Sequence, residues 1–201
     1  MKRLYLLSCL FFVSTASAST LVDFETAQTL KPQHVELSGQ MAAGDSVWAV
    51  GARGRVGLLP RLDGQLSMAG VVINDEVGYE FNLGGRYQLL TTAQTLGWVD
   101  VAVSTDMALT MAGPLLMTSL DVRGLASRAF EYATGRDVTV GLAAGLTETM
   151  YSVSGGANGN RLGWTAGAVI QLDLGPALTT GVDIAYRDDV KRFGIVVAKD
   201  F

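Results

Sequence analysis

The chain has 201 residues, of which 49% are hydrophobic and only 17% are charged, and its mean hydropathy is +0.30. This composition argues against an ordinary water-soluble domain, in which about a quarter of the residues are charged. The net charge of −4 comes without a clustered basic patch, so nucleic acid is not expected as a partner.

The first eighteen residues have the pattern of a secretory signal peptide. A positive start (1–3) precedes an apolar stretch (4–13) and a small-residue cleavage site (16–18). The apolar stretch is shorter than the ~18 residues that a transmembrane helix needs. Cleavage after this site would leave a mature chain without cysteine, because Cys9 lies in the apolar stretch. A lipoprotein-type cleavage at Cys9 is the alternative.

From residue 34 to 201 the chain alternates between apolar and polar residues in segments of about ten, separated by glycine, proline, asparagine and aspartate. This period of two predicts β-strands. We count about ten of them, with eight as the alternative because the third segment (66–72) and residues 107–115 are weakly patterned. Residues 19–33, which precede the first strand, are predicted to be a periplasmic lead-in.

The polar face of these segments is charge-balanced and rich in glycine, and lysine is nearly absent from the strand interiors. The apolar face carries aromatic residues close to the strand ends, where a membrane barrel places its interfacial belts. The sequence therefore predicts an all-β fold, a closed antiparallel transmembrane β-barrel with its polar face inside. The predicted interfacial aromatics are Trp48, Tyr79, Phe81, Trp164, Tyr186 and Phe193 in one belt, and Tyr87 and Phe201 in the other.

Closure follows from the same prediction, because backbone groups in hydrocarbon must all be paired and only a closed ring of strands has no edge. We expect the turns at 42–46, 154–160 and 187–191 on one side of the membrane. On the other side, with the chain termini, we expect the linker at 91–97 and a longer loop over 127–137.

The inward-facing charges are predicted to form a nearly neutral network, with seven carboxylates against six arginines. A pore selective for one sign of charge would show a bias, whereas balance favours ion pairs that bridge the lumen. Strand adjacency predicts the pairs Arg55–Glu36 and Arg86–Asp100. The inward carboxylates are Glu36, Glu80, Asp100, Asp106, Asp121, Asp173 and Asp183, and the arginines are Arg53, Arg55, Arg86, Arg123, Arg187 and Arg192.

The chain resembles the small outer-membrane β-barrel proteins of Gram-negative bacteria. Its last segment, RFGIVVAKDF, has the alternating apolar positions and the terminal aromatic, Phe201, that the barrel-assembly machinery recognises in that class. Lys199 departs from the pattern, because an apolar residue is usual there. The resemblance implies an integral outer-membrane location, with membrane lipid and, through Phe201, the assembly machinery as partners.

Neither a catalytic centre nor a metal or cofactor site is expected. The chain has one histidine, His34, at the start of the first strand, and no cluster has metal-ligand spacing. About ten strands enclose an interior much narrower than that of the large porins. The function predicted is a structural protein or a small or gated pore. The alternative is a binding barrel or a lipid-modifying barrel enzyme. The sequence leaves the oligomeric state open.

Overall fold

The computed structural model describes residues 25–45, 47–154, 156–175, 177–187 and 190–201. The predicted signal peptide and Cys9 lie outside these residues. The described residues form ten β-strands: β1 Val35–Gly44, β2 Val47–Leu59, β3 Leu62–Ile73, β4 Glu76–Leu90, β5 Asp100–Ala112, β6 Leu115–Ala133, β7 Arg136–Val153, β8 Ala157–Gly175, β9 Leu178–Arg187 and β10 Val190–Asp200.

Each strand pairs antiparallel with its neighbours in the chain, and β1 pairs with β10, so the sheet closes on itself. The predicted all-β barrel of about ten strands is confirmed, and the eight-strand alternative is wrong. Of the two weakly patterned regions, residues 66–72 lie within β3, and residues 107–115 contain the end of β5, the turn at 113–114 and the start of β6. In the part of the chain that the structure describes, no helix is long and apolar enough to cross a membrane.

Side chains alternate along the strands between the barrel interior and its outer surface, as the pleat of a β-strand requires. In β2, Trp48 and Val50 are exposed on the outer surface, whereas Arg53 and Arg55 are buried inside. The apolar side chains therefore cover the exterior and the charged ones fill the interior. This inversion of a soluble protein's polarity is the arrangement that a lipid environment stabilises.

The loop expected over 127–137 is wrong. Strand β6 continues to Ala133 and β7 begins at Arg136, so that Thr134 and Gly135 alone make the connection. Gly135 has a φ of +70°, a left-handed conformation that glycine adopts without steric cost. The segment continues as strand because Phe130 and Tyr132 keep the period of two and stay on the outer face.

The two ends of the barrel differ in what fills them. We call the end with the β1–β2 and β3–β4 turns the upper end, and the end where Val35 and Phe201 pair the terminal end. At the upper end, inward-facing apolar side chains from β2, β3 and β6 pack together. We call this group the apolar cap: Val47, Ala49, Val71, Ile73 and Met117. None of these five residues was predicted to lie on the inner or the outer face of the barrel.

Candidate functional site in the barrel lumen

The structure places the predicted inward charges inside the barrel wall. Eleven of them are at most 6% exposed, and the side chain of Glu36 is 12% exposed. Asp173 is half-buried at the terminal end. The eleven are Arg53, Arg55, Glu80, Arg86, Asp100, Asp106, Asp121, Arg123, Asp183, Arg187 and Arg192.

One cluster of these charges lies near the terminal end and is centred on Asp63, a residue that the sequence analysis missed. Oδ2 of Asp63 accepts hydrogen bonds from Nη2 of Arg55 at 2.8 Å and from Nη2 of Arg86 at 2.7 Å. Arg55 also donates from Nη1 to Glu36 Oε1 at 3.0 Å, and Arg53 lies 3.8 Å from the same oxygen. Asp63 could have been found from the sequence, because it lies two residues before Gln65 and therefore on the same, inward face of β3.

The predicted pair Arg86–Asp100 is wrong. Asp63 stands directly opposite Arg86 in the β3–β4 register and takes its guanidinium. Asp100 instead accepts hydrogen bonds from Gln28 Nε2 at 3.1 Å and from the backbone N–H of Thr92 at 2.6 Å. The carboxylate that was expected to pair with an arginine therefore anchors the chain segments at the terminal end of the lumen.

A second cluster crosses the middle of the lumen. Arg123 of β6 pairs with Asp106 of β5, and Arg187 of β9 pairs with Asp121 of β6, which is not a neighbouring strand. All four side chains are at most 5% exposed. Removing one partner of such a desolvated pair costs about 3–5 kcal/mol, because the other charge stays buried. The Arg187–Asp121 pair therefore joins two strands of the wall that β7 and β8 separate.

Residues 25–33, which we call the N-terminal segment, enter the lumen. Glu25, Thr26 and Ala27 are buried. The backbone N–H of Ala27 donates to Ser127 Oγ at 2.9 Å, and Arg86 donates from Nη1 to the carbonyl oxygen of Thr26. The segment thus fills part of the lumen in the manner of a plug.

The rest of the N-terminal segment follows the wall down to the terminal end. Thr29 Oγ1 donates to Gln88 Oε1 at 3.1 Å, and the backbone N–H of Leu30 donates to Asp63 Oδ2 at 3.2 Å. Gly57 allows the close approach, because a Cβ there would lie 2.0 Å from the carbonyl oxygen of Lys31. The hydrogen bonds that the structure shows between the segment and the wall are with β2 to β6. Ala143 of β7 packs against the apolar cluster that contains Ala27.

Two cavities border the segment on its other side. A cavity of about 380 Å³ opens at the terminal end, and a smaller one of about 20 Å³ lies deeper, between Glu25 and strands β7 to β9. The smaller cavity is lined by small side chains, among them Gly141, Ala143 and Ala185, and by the charged side chains of Asp183, Arg187 and Arg192. The lumen is therefore asymmetric, filled along β2 to β6 and sparsely filled along β7 to β9.

The predicted interfacial aromatics lie on the outer surface. Seven of them are at least 43% exposed, namely Trp48, Tyr79, Phe81, Tyr87, Trp164, Phe193 and Phe201. Tyr186 is half-buried, because its ring stacks on that of Trp164 with centroids 5.4 Å apart. Trp98, Phe130 and Tyr132 add to the terminal-end belt. The sequence analysis missed the last two because it expected a loop there.

The structure places His34 at the terminal end, where its backbone N–H donates to the carbonyl oxygen of Lys31 at 3.1 Å and its side chain lines the larger cavity. Among the described residues, no group of three or more His, Cys, Asp or Glu side chains has the arrangement of a metal site.

The sequence and the fold were compared with those of known proteins. No family model and no curated protein matches the sequence. A solved bacterial polysaccharide outer membrane secretin superposes with a TM-score of 0.51 at 11% identity, covering 77% of this chain and 57% of that one. The N-terminal β-barrel domain of Pseudomonas aeruginosa OprF gives 0.41 at 11% identity, covering 85% and 98%. The KdgM porin gives 0.45 at 8%, covering 83% and 99%.

These identities are low, so the likeness concerns the fold alone. The closed ten-stranded barrel, polar inside and apolar outside, is a fold of the outer-membrane β-barrel class.

Proposed function

We propose that this protein is an integral outer-membrane β-barrel that acts as a small gated pore and is closed in the conformation described here. The observation that carries the proposal is the asymmetry of the lumen. The N-terminal segment lies against β2 to β6, and the two cavities lie beside it on the side of β7 to β9. A barrel built only for support has no need of unfilled space beside this segment.

Closure has two components in this proposal. The N-terminal segment narrows the lumen from the terminal end, and the apolar cap covers part of it at the upper end. Hydrophobic constrictions of this kind exclude water and ions until they widen. The pathway that would open is narrow, since ten strands enclose an interior only slightly wider than that of an eight-stranded barrel.

The outer-membrane location rests on the exterior of the barrel. Exposed apolar side chains form its outer surface, with aromatic belts towards both ends. On β10, Phe193, Ile195 and Val197 are exposed on this surface, as is the terminal Phe201. The ammonium group of Lys199 lies 5.0 Å from the ring centroid of Phe201, so this departure from the expected pattern still contacts an aromatic ring. Lipid and the barrel-assembly machinery are the partners that this surface fits.

Single-channel recording in planar bilayers tests the pore. The wild type is compared with a variant that lacks residues 25–30. We expect the wild type to be silent or to open briefly, and the deletion variant to conduct steadily, because the segment no longer narrows the lumen. Silence of both proteins, once each is shown to be folded by heat-modifiable migration on a gel, would overturn the proposal.

A matched variant holds the segment in place instead of removing it. The backbone N–H of Ala27 donates to Ser127 Oγ at 2.9 Å, so these two positions are in contact and are chosen for an engineered disulfide. Oxidation of Ala27→Cys/Ser127→Cys should abolish brief openings, and reduction should restore them. Openings that are unaffected by oxidation would mean that this segment is not the gate.

The second candidate is a purely structural barrel. The apolar cap and the cross-lumen ion pair Arg187–Asp121 favour it, because both stabilise a closed interior. Silence of the deletion variant is the result that this candidate predicts. A catalytic role has no comparable support, because His34 lies at the rim of the terminal end.

A further inference from the structure

We propose that the lumen wall contains a binding site for a carboxylate, which Glu25 occupies as an internal ligand and which a small monocarboxylate anion binds in its place. The inference deepens the proposed function, because it names the class of solute that the lumen would recognise. The test measures binding and not conductance. The carboxylate site and the gated pore can therefore be disproved independently of each other.

The site is built by two wall strands. Gln65 of β3 donates from Nε2 to Glu25 Oε1 at 2.9 Å, and Nη2 of Arg123 on β6 lies 3.4 Å from Glu25 Oε2. One oxygen of the carboxylate accepts a hydrogen bond from the amide, and the other forms an ion pair with the guanidinium without a hydrogen bond. Gln65 and Arg123 are 9% and 4% exposed, so both donors are withdrawn from water.

These two donors are held in place by the wall itself. Gln65 Nε2 also donates to Asp106 Oδ1 at 2.6 Å, and Arg123 pairs with Asp106 Oδ2. A single carboxylate of the wall thus orients both groups toward the position of the Glu25 carboxylate. The site is therefore part of the barrel and does not depend on the N-terminal segment for its geometry.

The electrostatics of the site favour an ionised occupant. Burial by itself would raise the pKa of Glu25, but the charges of Arg123 and Arg53 and the hydrogen bond from Gln65 outweigh it, and the pKa lies below its ordinary value. Hydrogen bonds and positive charges that stabilise the ionised form act in the same way on any carboxylate placed there.

Glu25 is an exchangeable occupant because of where it sits in the chain. It belongs to the segment before β1, which is not one of the paired wall strands. The small cavity between this segment and β7 to β9 borders Glu25. Arg187 also lines it, and within the described residues Nε and Nη1 of this 1%-exposed side chain have no hydrogen-bond partner. A ligand larger than the Glu25 side chain would find further donors here.

The wall chemistry selects the class of ligand. Two of the nearby acids, Asp106 and Asp121, already pair with Arg123 and Arg187. Their charges would oppose a second negative charge, so the site suits a monoanion rather than a sulfate or a phosphate dianion. The amide of Gln65 and the guanidinium of Arg123 match the two oxygens of a planar carboxylate.

The test supplies, as acetate in solution, the carboxylate that a Glu25→Ala variant lacks. Glu25→Ala removes one methylene and the carboxylate, so acetate is the probe that replaces what the variant lacks. The unfolding midpoint of the refolded barrel is measured by heat-modifiable migration. We expect a lower midpoint for Glu25→Ala than for the wild type. Acetate should raise the midpoint of the variant saturably by a few degrees, on the order expected for a ligand that binds only the folded state.

Four controls decide the result. Acetamide has nearly the same shape without the charge, and chloride at equal ionic strength has the charge without the shape, so neither should raise the midpoint. The wild type should respond less than Glu25→Ala, because acetate must first displace the Glu25 side chain there. Glu25→Ala/Arg123→Gln should not respond either, because it lacks the guanidinium. Equal responses to all three solutes, or an equal response of the double variant, would overturn the proposal.

Refolding yield covers the case in which Glu25→Ala folds poorly. We then expect acetate to restore folding and acetamide to fail. A variant that folds with neither solute, beside a Glu25→Gln variant that folds normally, would show that Glu25 is needed for packing alone and would also overturn the proposal.

Discussion

Arg55 donates a hydrogen bond from Nη2 to Asp63 Oδ2 at 2.8 Å inside the barrel, near the terminal end. The same oxygen accepts from Arg86 at 2.7 Å and from the backbone N–H of Leu30 at 3.2 Å. One carboxylate oxygen therefore joins two arginines of the wall to the N-terminal segment. Four strands and the segment depend on it, since Arg55 also reaches Glu36 of β1.

Replacing this carboxylate is expected to destabilise the barrel. Asp63→Asn removes the negative charge between two buried arginines, and the loss should be about 3–5 kcal/mol because the guanidinium groups stay desolvated. Denaturant unfolding of the refolded protein measures it. The matched control is Asp137→Asn, since Asp137 is exposed at the terminal end, and its effect should stay within about 0.5 kcal/mol. Similar losses for both variants would contradict the central role of Asp63.

Gly57 is expected to be required for the position of the N-terminal segment. A Cβ at this residue would lie 2.0 Å from the carbonyl oxygen of Lys31, so Gly57→Ala should push the segment away from the wall. Gly39→Ala is the control, because nothing lies within 4 Å of a Cβ there. Limited digestion with a nonspecific protease, followed by mass spectrometry, should show faster cleavage within residues 25–33 only for Gly57→Ala. Equal cleavage rates would show that the segment tolerates the added methyl group.

The aromatic belts predict the depth of individual tryptophans in a bilayer. Single-tryptophan variants that keep Trp164 or Trp98 should be quenched more by lipids brominated near the headgroup than by lipids brominated at the acyl end. Leu142 lies midway along β7 and is 61% exposed, so Leu142→Trp in a tryptophan-free background should show the opposite order. The same order for all three positions would rule out the proposed membrane alignment.

Acid is expected to weaken the attachment of the N-terminal segment through Glu25. Its pKa in the folded protein lies below the ordinary value of 4.5 because of Arg123, although burial opposes the shift. A lowered pKa stabilises the folded state above the ordinary value, and this contribution is lost as the pH falls through the lowered one. The stability difference between the wild type and Glu25→Gln should therefore shrink below about pH 4.5. A difference independent of pH would contradict this assignment.

Much of the barrel could be read from alternation alone. The pleat of a strand sends successive side chains to opposite faces whatever the strand pairs with, so the inward position of Arg53 and Arg55 and the outward position of Trp48 follow from local geometry. The same rule extended to Phe130 and Tyr132 would have replaced the expected loop by the hairpin that the structure shows. The loop was expected because the alternation was taken to end before residue 127, whereas strand β6 continues to Ala133.

The strands and their two faces therefore followed from the sequence, because side-chain periodicity is a local property, and the closed barrel followed from the cost of an unpaired strand edge in hydrocarbon. Only the tertiary structure decided the contents of the lumen. Asp63 rather than Asp100 takes Arg86 because of the strand register, and Ala27 lies against Ser127 across one hundred residues of chain. Contacts inside a lumen depend on the register between strands and on the path of the N-terminal segment, and neither leaves a periodic mark in the sequence.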